Sequence, residues 1–488
     1  MPPKIIKLTP SQTRVLGDIM NFIDNPRQRV FILKGYAGTG KTTLLRFLLA
    51  ELRKSGRLFS LMAPTGRAAK VMSNLAGDGK NAVKARTIHS TIYTFEGLNQ
   101  DLTEREVTSI DETGQMFLTF EPVNPNNHET AMVYIIDEAS MVSDFESKDV
   151  TQARFGSGQL LTDLLNFDNN KDSKYIMVGD PCQLPPVEQY FSPALMEDYI
   201  TGHFGYGVAT AQLTEIMRQK GDSSIVTASK AVRSLWSNAP GSISVYGSSK
   251  VWGKLPLRNY GDIEFHHDVN DLVELYVKAV KGGGYEQAVF ISRSNSRCSQ
   301  FSMLIRSRLG IASPRVAVGD LLMVTQNNLL VPLVNGDMVE VTEVTDQVTQ
   351  RTGLNFRLVT VKELFSGTLY KTWLLEDILY QNRPNLDKKQ QTDLLIDFVN
   401  RMKALGIKQK SAVFNSRMLT DIYLNALRCT WGYAVTCHKA QGGEWDTVLL
   451  DMPRNITLNP VKESYQWVYT AMTRATKTLH LVDDFFYC

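Results

Sequence analysis

The stretch Gly35-Tyr36-Ala37-Gly38-Thr39-Gly40-Lys41-Thr42 constrains the fold more than any other part of the chain. It fits the phosphate-binding pattern G-x-x-x-x-G-K-[ST] at every fixed position. An apolar run of strand type, Val30–Leu33, precedes it, and a segment with helical spacing, 43–52, follows it and ends near Gly56, a predicted helix C-cap. The order of strand, glycine loop and helix predicts an α/β domain that binds a phosphate.

The glycines of this loop let backbone N–H groups surround an anion, and the helix that follows adds its dipole. We therefore predict that Lys41 reaches the β- and γ-phosphates of ATP and that the Thr42 hydroxyl binds Mg²⁺. The alternative is a chance match in a glycine-rich turn. The flanking strand and helix argue against that alternative.

Two carboxylates follow a second apolar run, Ala131–Ile136. After a phosphate-binding loop, this arrangement predicts that Asp137 holds Mg²⁺ and that Glu138 polarises the attacking water. Two acids at a strand end can also form a solvated turn. The clean strand character and the upstream loop favour the catalytic interpretation.

Four other polar side chains suit the same chemistry but have no local partner that settles their role. Gln183 follows the predicted strand 174–179 and could orient water or sense a γ-phosphate. The Arg218 guanidinium would stabilise transition-state charge at a γ-phosphate, although Arg218 alone is a surface arginine. Arg474 is a second guanidinium with no local partner. The Gln12 amide suits the N6/N7 edge of adenine, although a lone helical glutamine is usually exposed.

Threonine and histidine residues occur where predicted strands give way to loops or helices. Thr65 follows one strand, and Thr87 and His89 follow the next. Open α/β sheets place ligands at that edge. Capping threonines explain the same pattern, and the local sequence does not decide between the two interpretations.

Composition excludes several classes of protein. The 488 residues carry a formal net charge of +3, which argues against a histone-like protein but leaves nucleic acid open, because a basic groove can coexist with acidic surface. The five cysteines are scattered, without C-x-x-C, and indicate reduced thiols. We see no signal peptide and no apolar run near ~20 residues, so we expect neither a leader nor a membrane span.

The α/β pattern is interrupted twice. Strand-like segments at Glu106–Ile110 and Met116–Phe120 flank a turn at Asp111–Gln115, which predicts an inserted hairpin. From 318 to 344 the pattern is all β, with Asn335–Asp337 as a predicted tight hairpin turn, and we expect a small barrel of SH3 type.

The second half also contains a charged helical segment, 385–410, which we expect on the outside of the protein. An α/β pattern resumes on either side of the β-rich region, but that half of the sequence contains no second phosphate-binding loop.

Eight strings occur in order along the chain, and their order is far more specific than any one string. They are the phosphate-binding loop, A-P-T-G-R-A-A-K, A-R-T-I-H-S, D-E-A-S-M, G-D-P-C-Q-L-P-P-V, L-T-E-I-M-R-Q, V-T-C-H-K-A-Q-G and Y-T-A-M-T-R-A. Together they resemble superfamily 1 helicases, specifically the RecD-like branch that includes phage Dda helicase. The resemblance runs from Leu8 to Val482 and is thin in the two inserts and in 385–418.

The resemblance implies an α/β fold of two RecA-like P-loop domains with an inserted β-hairpin, or pin, and an inserted SH3-like subdomain. The implied bounds are 1–90 and 131–236 for the ATP-binding domain, 91–130 for the pin, 258–330 and 425–488 for the second RecA-like domain, and 331–424 for the SH3-like and helical insert.

The resemblance also implies a role for each motif residue. The catalytic set is Lys41, Glu138, Gln183, Arg218 and Arg474. The nucleotide-binding set is Gln12, Gly35, Ala37, Gly38, Thr39, Gly40, Lys41, Thr42 and Thr43, and Mg²⁺ is held by Thr42 and Asp137. The implied contacts with single-stranded DNA are Pro64, Thr65, Thr87, His89, Thr436 and His438.

The implied activity is ATP-dependent unwinding of DNA, with 5′→3′ movement on a single strand, by a cytoplasmic protein of a bacterial cell or phage-infected host. The implied partners are single-stranded DNA and single-strand/duplex junctions, with single-strand-binding or replisome proteins as candidates, and monomeric action is expected. A translocase that displaces bound proteins without unwinding, an RNA helicase and a nucleotide-dependent switch are the alternatives. Replication, recombination and repair all fit.

Overall fold

The computed structural model describes residues 7–75, 83–98, 118–123, 130–146, 153–216, 224–241, 250–381, 383–409 and 411–488. The predicted strand 106–110, the predicted turn 111–115 and Arg218 lie outside the described residues, so the predictions made for them stay predictions.

The strands alternate with helices through most of the chain. The described strands are β1 Val30–Gly35, β2 Leu58–Ala63, β3 Arg86–Thr87, β4 Tyr93–Leu98, β5 Leu118–Pro122, β6 Met132–Ile136, β7 Ala153–Phe155, β8 Lys174–Gly179, β9 Val208–Leu213, β10 Ile263–His266, β11 Ala288–Ser292, β12 Leu321–Val324, β13 Met338–Arg351, β14 Leu354–Glu363, β15 Leu369–Leu375, β16 Cys429–Trp431, β17 Ala434–Thr436, β18 Trp445–Leu450 and β19 Ala475–Val482.

The helices range from one turn to more than four turns. The described α-helices are α1 Pro10–Asp24, α2 Lys41–Lys54, α3 Gly66–Leu75, α4 Ile88–Ile92, α5 Leu160–Leu165, α6 Glu197–Phe204, α7 Ser224–Asn238, α8 Val269–Gly283, α9 Asn295–Arg308, α10 Lys388–Ala404, α11 Ala412–Thr420, α12 Cys437–Ala440 and α13 Lys462–Met472. Among the residues described, no helix is both long enough and apolar enough to cross a membrane.

The first parallel sheet contains the phosphate-binding loop. Its strand order is β3-β2-β6-β8-β1-β9, and every neighbouring pair is parallel. β1 is apolar on both faces, with Val30 and Ile32 in one layer of the core and Phe31 and Leu33 in the other, as expected when helices cover both sides of a sheet. Because β6, β8 and β1 are neighbours, the segments that follow them meet at one edge.

The second parallel sheet has the strand order β10-β19-β18-β11-β17. The sheet confirms the α/β pattern expected on either side of the β-rich region, because β10 and β11 precede that region and β17, β18 and β19 follow it. With the first sheet, it confirms the predicted α/β fold with two parallel sheets.

A third, antiparallel sheet follows the order β15-β14-β13-β12-β16. It spans residues 321 to 431, so it begins and ends outside the predicted insert bounds of 331–424. The predicted tight hairpin at Asn335–Asp337 is wrong, because thirteen residues, 325–337, separate β12 from β13. The tight turn is instead at Thr352 and Gly353, both with positive φ, between β13 and β14. Closure of this sheet into an SH3-like barrel stays a prediction.

The predicted pin region contains part of a small sheet, ordered β4-β5-β7. β5 overlaps the predicted strand Met116–Phe120, but its described antiparallel partner is β4, which precedes the predicted hairpin, and β7 extends the sheet beyond residue 130. The pin assignment therefore rests on residues outside the described part of the chain.

Helix α10 lies within the charged segment that was expected to decorate the surface, and that expectation is wrong. Leu394, Leu395 and Phe398 are fully buried in a separate core with strands and helix α11 of the insert. The Asn415 side chain donates to the Glu96 carbonyl oxygen at 3.2 Å, so this insert also contacts β4.

The two parallel sheets are joined by a continuous apolar interface. Leu184 and Val232 belong to the part of the chain that contains the first sheet, and they pack in one cluster with Val289, Val448 and Tyr469. Helix α7 packs against α13 in the same region. This interface aligns the edges of the two sheets so that a cleft opens between them.

Candidate functional site

A cavity of about 780 Å³ lies between the two parallel sheets. The first sheet contributes the phosphate-binding loop and the ends of β6 and β8, and the second contributes the segment around β18 and the end of α13. The predicted nucleotide-binding and catalytic residues that line the cavity are Ala37, Gly38, Gly40, Lys41, Thr42, Thr43, Asp137, Glu138, Gln183 and Arg474.

The phosphate-binding loop has the backbone that its glycines predict. Gly38 and Gly40 have φ of 77° and 78°, in the left-handed region that favours glycine. Lys41 Nζ donates to the carbonyl oxygens of Gly35 at 2.7 Å and Tyr36 at 3.3 Å. The ammonium group therefore folds across the concave side of its own loop.

Gln12 supports this loop from behind. It is 2% exposed, and its Nε2 donates to the carbonyl oxygens of Thr39 and Gly40 at 3.3 Å each. Its Oε1 accepts the Thr9 N–H in a reciprocal capping box at the start of α1, where Pro10 is the first residue. The exposed-helix alternative for Gln12 is wrong. An adenine contact would require the amide to exchange these bonds.

The two acids at the end of β6 are held in an unusual geometry. Glu138 has φ of 51°, a conformation that costs a non-glycine residue energy and that clusters at functional sites. Its N–H donates to Asp137 Oδ1 at 3.0 Å. Burial raises the pKa of Asp137, and burial together with the Asp137 charge raises the pKa of Glu138 to about 7. Glu138 can therefore gain and lose a proton near neutral pH.

Gln183 lies on the cavity wall after β8 and is 3% exposed. Its Oε1 is buried with no hydrogen-bond partner among the described residues. Its backbone is fixed on both sides, because its N–H donates to the Asp180 carbonyl oxygen and its carbonyl oxygen accepts from Gln466 Nε2. A buried, unpaired amide oxygen at the cavity can accept a hydrogen bond from water.

Arg474 faces the acids from the second sheet and is 4% exposed. Its nitrogen atoms donate to the Thr470 and Gly443 carbonyl oxygens at 3.0 and 3.1 Å and to Thr473 Oγ1 at 3.3 Å. No carboxylate within the described ranges forms an ion pair with it. A buried cation without a paired anion is costly, and an anionic ligand in the cavity would offset that cost.

Tyr469 connects the two walls and was missed by sequence reasoning. Its hydroxyl accepts the N–H of Ala37, in the phosphate-binding loop, at 2.8 Å and donates to Asp180 Oδ2 at 2.8 Å. Tyr469 and Asp180 both belong to sequence strings that carry the family resemblance, and that was the available signal. The contact joins residues more than 280 positions apart, so no local pattern reveals it.

Helix α3 supplies two further links that sequence reasoning missed. The Arg67 guanidinium lies 4.3 Å from the Trp445 ring centroid, and burial, with a smaller effect of Arg474, lowers the pKa of Arg67 to about 10. Lys70 Nζ lies 2.6 Å from Asp337 Oδ2 in the third sheet. Both cations come from the A-P-T-G-R-A-A-K string, which was assigned only to DNA contact.

The residues of the first sheet that are predicted to contact single-stranded DNA lie together at the carboxyl ends of β2 and β3, where Ala63 pairs with Thr87. Pro64 and Thr65 directly follow β2. Thr65 Oγ1 accepts from the Ala68 N–H, and Thr87 Oγ1 accepts from the Ser90 N–H. The capping interpretation is therefore confirmed for both hydroxyls, and their contact with DNA stays a prediction.

The other residues that are predicted to contact single-stranded DNA differ in their surroundings. The His89 ring lies 5.0 Å from the Phe155 ring, and burial lowers the pKa of His89 to about 4, so it is neutral. Thr436 ends β17 and begins α12 without a side-chain capping bond, unlike the threonines of the first sheet. Burial also lowers the pKa of His438. These side chains carry no positive charge, so a contact with a DNA phosphate would not be an ion pair.

Two family models match separate parts of the chain. A model described as an AAA domain matches residues 7–239, and a model described as a UvrD-like helicase C-terminal domain matches residues 432–482. The first covers the sheet with the phosphate-binding loop, and the second covers most of the later strands of the second parallel sheet.

Two curated relatives align with most of the chain. RecBCD enzyme subunit RecD of Buchnera aphidicola is 21% identical over 95% of this chain and 71% of that protein. ATP-dependent DNA helicase dda of Enterobacteria phage T4 is 24% identical over 65% of this chain and 61% of that protein. A solved Pif1 helicase from Bacteroides, in complex with ADP-AlF3 and ssDNA, has a TM-score of 0.49 at 18% identity, with 98% of this chain and 93% of that chain covered.

A phosphate-binding loop at the end of a parallel sheet, with a second parallel sheet across the cleft, defines the broad class of P-loop proteins. Within that class, the two family models and the curated relatives support a superfamily 1 helicase of the branch that contains RecD and Dda. The resemblance expected from the ordered strings is confirmed.

Proposed function

We propose that this protein is an ATP-dependent DNA helicase that moves along single-stranded DNA in the 5′→3′ direction and separates duplex DNA. The observation that carries the proposal is the cavity between the two sheets, which brings Lys41 and Glu138 of one sheet opposite Arg474 of the other. The similarity to RecD and Dda helicases supports the activity, and the direction rests on the RecD-like resemblance.

The residues at the cavity fit a nucleotide and its metal ion. A Cβ atom at Gly35 would lie 2.8 Å from Lys41 Cγ, so the loop keeps its concave side clear only with glycine there. The backbone N–H groups of the loop and Lys41 would hold the phosphates of ATP, and Thr42 and Asp137 would hold Mg²⁺. The bound metal ion would neutralise phosphate charge.

Hydrolysis requires groups from both walls. Glu138, with its pKa near neutral pH, would take a proton from the attacking water, and the unpaired Gln183 Oε1 would orient that water. Arg474 would stabilise the charge that develops on the phosphate, with Arg218 as a second predicted guanidinium. Because Arg474 belongs to the second sheet, turnover depends on the distance between the sheets.

The links across the cleft offer a route from hydrolysis to movement. Tyr469 joins the phosphate-binding loop to α13, Gln466 bonds the segment after β8, and Lys70 reaches the third sheet. A change in the cavity would therefore shift the two sheets relative to each other. Each sheet carries, at the ends of its β-strands, residues that are predicted to contact single-stranded DNA. If the two sheets bind the single-stranded DNA in alternation, the protein moves along it.

Two alternatives remain in the proposal. A translocase that displaces proteins without unwinding shares every residue of the cavity and differs at the pin, whose predicted turn at Asp111–Gln115 lies outside the described residues. An RNA helicase of the same superfamily would contact the 2′-OH, and no described residue distinguishes that contact.

The test is unwinding of two partial duplexes, one with a 5′ single-stranded tail and one with a 3′ tail, with and without ATP. The proposal predicts that only the 5′-tailed DNA duplex opens, and only with ATP. Opening of the 3′-tailed duplex alone would overturn the direction. ATP hydrolysis stimulated by single strands with neither duplex opened would favour the translocase, and a matched set of RNA duplexes tests the RNA alternative.

A further inference from the structure

Three potential metal ligands converge on the outer strand pair of the second parallel sheet, outside the nucleotide cavity. Glu264 and His266 lie two residues apart on β10, and Glu264 is paired with His480 on β19. Side chains on a strand alternate between faces, and paired residues point to the same face. All three side chains therefore share one face at the edge of the sheet.

The ligand atoms are close enough to share one ion. His266 Nε2 lies 3.0 Å from His480 Nδ1, Glu264 Oε2 lies 3.4 Å from His480 Nδ1, and all three atoms lie within 4.8 Å of one another. A tetrahedral zinc ion with bonds of about 2.0–2.1 Å places its ligands roughly 3.3 Å apart. Two of the three separations are already near that value.

One proton or one cation can hold these three atoms together. His480 Nδ1 faces both Glu264 Oε2 and His266 Nε2, and a proton on His480 Nδ1 can be shared between the two acceptors. A cation in place of that proton would bind the same three atoms.

The surroundings keep His480 in its ligand form. His480 is 7% exposed, and burial lowers its pKa, so the ring is neutral at physiological pH, as metal binding requires. The Glu264 side chain is 54% exposed, so solvent can reach the cluster from its side.

We propose that Glu264, His266 and His480 form a binding site for Zn²⁺ or a chemically similar transition-metal ion. Two imidazoles and one carboxylate suit Zn²⁺ and not Mg²⁺, which prefers oxygen ligands, so this site is distinct from the proposed Mg²⁺ site at Thr42 and Asp137. The ion would fasten β10, at the edge of the sheet, to β19. The simpler interpretation is a histidine pair with a surface carboxylate and no metal.

The experiment is a calorimetric titration of the chelator-treated, tag-free full chain with ZnCl₂ in the presence of excess Mg²⁺. We expect about one equivalent of Zn²⁺ to bind and to raise the melting temperature, because the ion binds the folded state. His266→Ala and Glu264→Gln should each weaken binding by more than about tenfold, since even groups outside the ligand shell contribute about 10- to 100-fold. His267→Ala, the exposed neighbouring histidine, is the matched control and should bind as the wild type does.

No binding by the wild-type chain would overturn the proposal. Binding that survives both His266→Ala and Glu264→Gln would also overturn it, because the ion would then be held elsewhere. Circular dichroism checks that each variant folds. The buried His480 is left unchanged, so that loss of binding is not confused with loss of folding.

Discussion

The two parallel sheets share an architecture but carry opposite chemistry at the cleft. The first sheet ends in a phosphate-binding loop and the acids Asp137, Glu138 and Asp180, and burial raises the pKa of all three. The second sheet presents Arg474, a buried cation without a carboxylate partner among the residues described. Lys41 on the same wall and Arg474 on the opposite wall both act to lower the pKa of Glu138 and of Asp180, so the acids are offset from both sides of the cleft.

The largest effect is expected from a substitution in the first wall of the cavity. Lys41→Ala should lower ATP turnover by about 1000-fold or more, near the upper range for loss of one preorganised donor. Binding of single-stranded DNA should persist, because the residues predicted to contact DNA lie at the ends of other β-strands. Steady-state hydrolysis and strand-binding assays measure the two effects. Lys54→Ala, at the exposed end of the same helix, is the control, and retained turnover in Lys41→Ala would refute the site.

The next effect tests the acid that faces Arg474. Glu138→Gln should lower turnover by about 100-fold or more, because proton transfer by a positioned base contributes about 100- to 10,000-fold. The pKa of Glu138 is raised to about 7, and the base must be ionised, so kcat/KM of the wild type should fall as pH drops through about 7. Glu138→Gln should lack that acid limb. An unchanged pH profile in the variant would assign the limb to another group.

A smaller effect on hydrolysis is expected at the predicted pin. Deleting the turn Asp111–Gln115 should reduce unwinding of a tailed duplex more than DNA-stimulated ATP hydrolysis, because the turn belongs to the predicted pin and to none of the predicted ATP-binding motifs. Both activities are measured on the same DNA. Equal losses in both assays would remove the pin assignment from this segment.

The smallest expected effect concerns the link between the walls. Tyr469→Phe removes a hydroxyl that bonds the Ala37 N–H and Asp180, so the free energy of unfolding should fall by about 1–3 kcal/mol, the cost of leaving buried polar groups unpaired. Tyr465→Phe, one turn earlier on α13, is the control, because its hydroxyl makes no hydrogen bond within the described ranges. Urea denaturation compares the two variants, and equal losses would mean that the bridge contributes nothing.

Much of the first sheet could be predicted because its signals are local. The phosphate-binding loop, the acids after β6 and the N-cap at Thr9 depend on neighbours within a few residues. The roles of buried Gln12 and of Tyr469 depend on contacts across the fold, and sequence spacing does not encode them. Those contacts are visible only once distant strands are paired.

The two inserts show the same limit. The described part of the predicted strand 116–120 lies in β5, whose described antiparallel partner β4 precedes the predicted hairpin. The Asn335–Gly336 turn is real, since Gly336 has φ of 94°, yet a loop from 325 to 334 separates it from β12 before the chain enters β13. Turn residues predict a local reversal of the chain, and strand partners depend on packing against the rest of the sheet.

The central claim is that hydrolysis is shared between the two sheets, and the most direct measurement is on Arg474→Ala. ATP affinity and strand-stimulated turnover are measured together, with Arg454→Ala, an exposed arginine of the same half of the chain, as the control. We predict that turnover falls by about 1000-fold or more, as for a removed arginine finger, while ATP affinity changes far less. Full turnover, or equal losses of affinity and turnover, would contradict the claim.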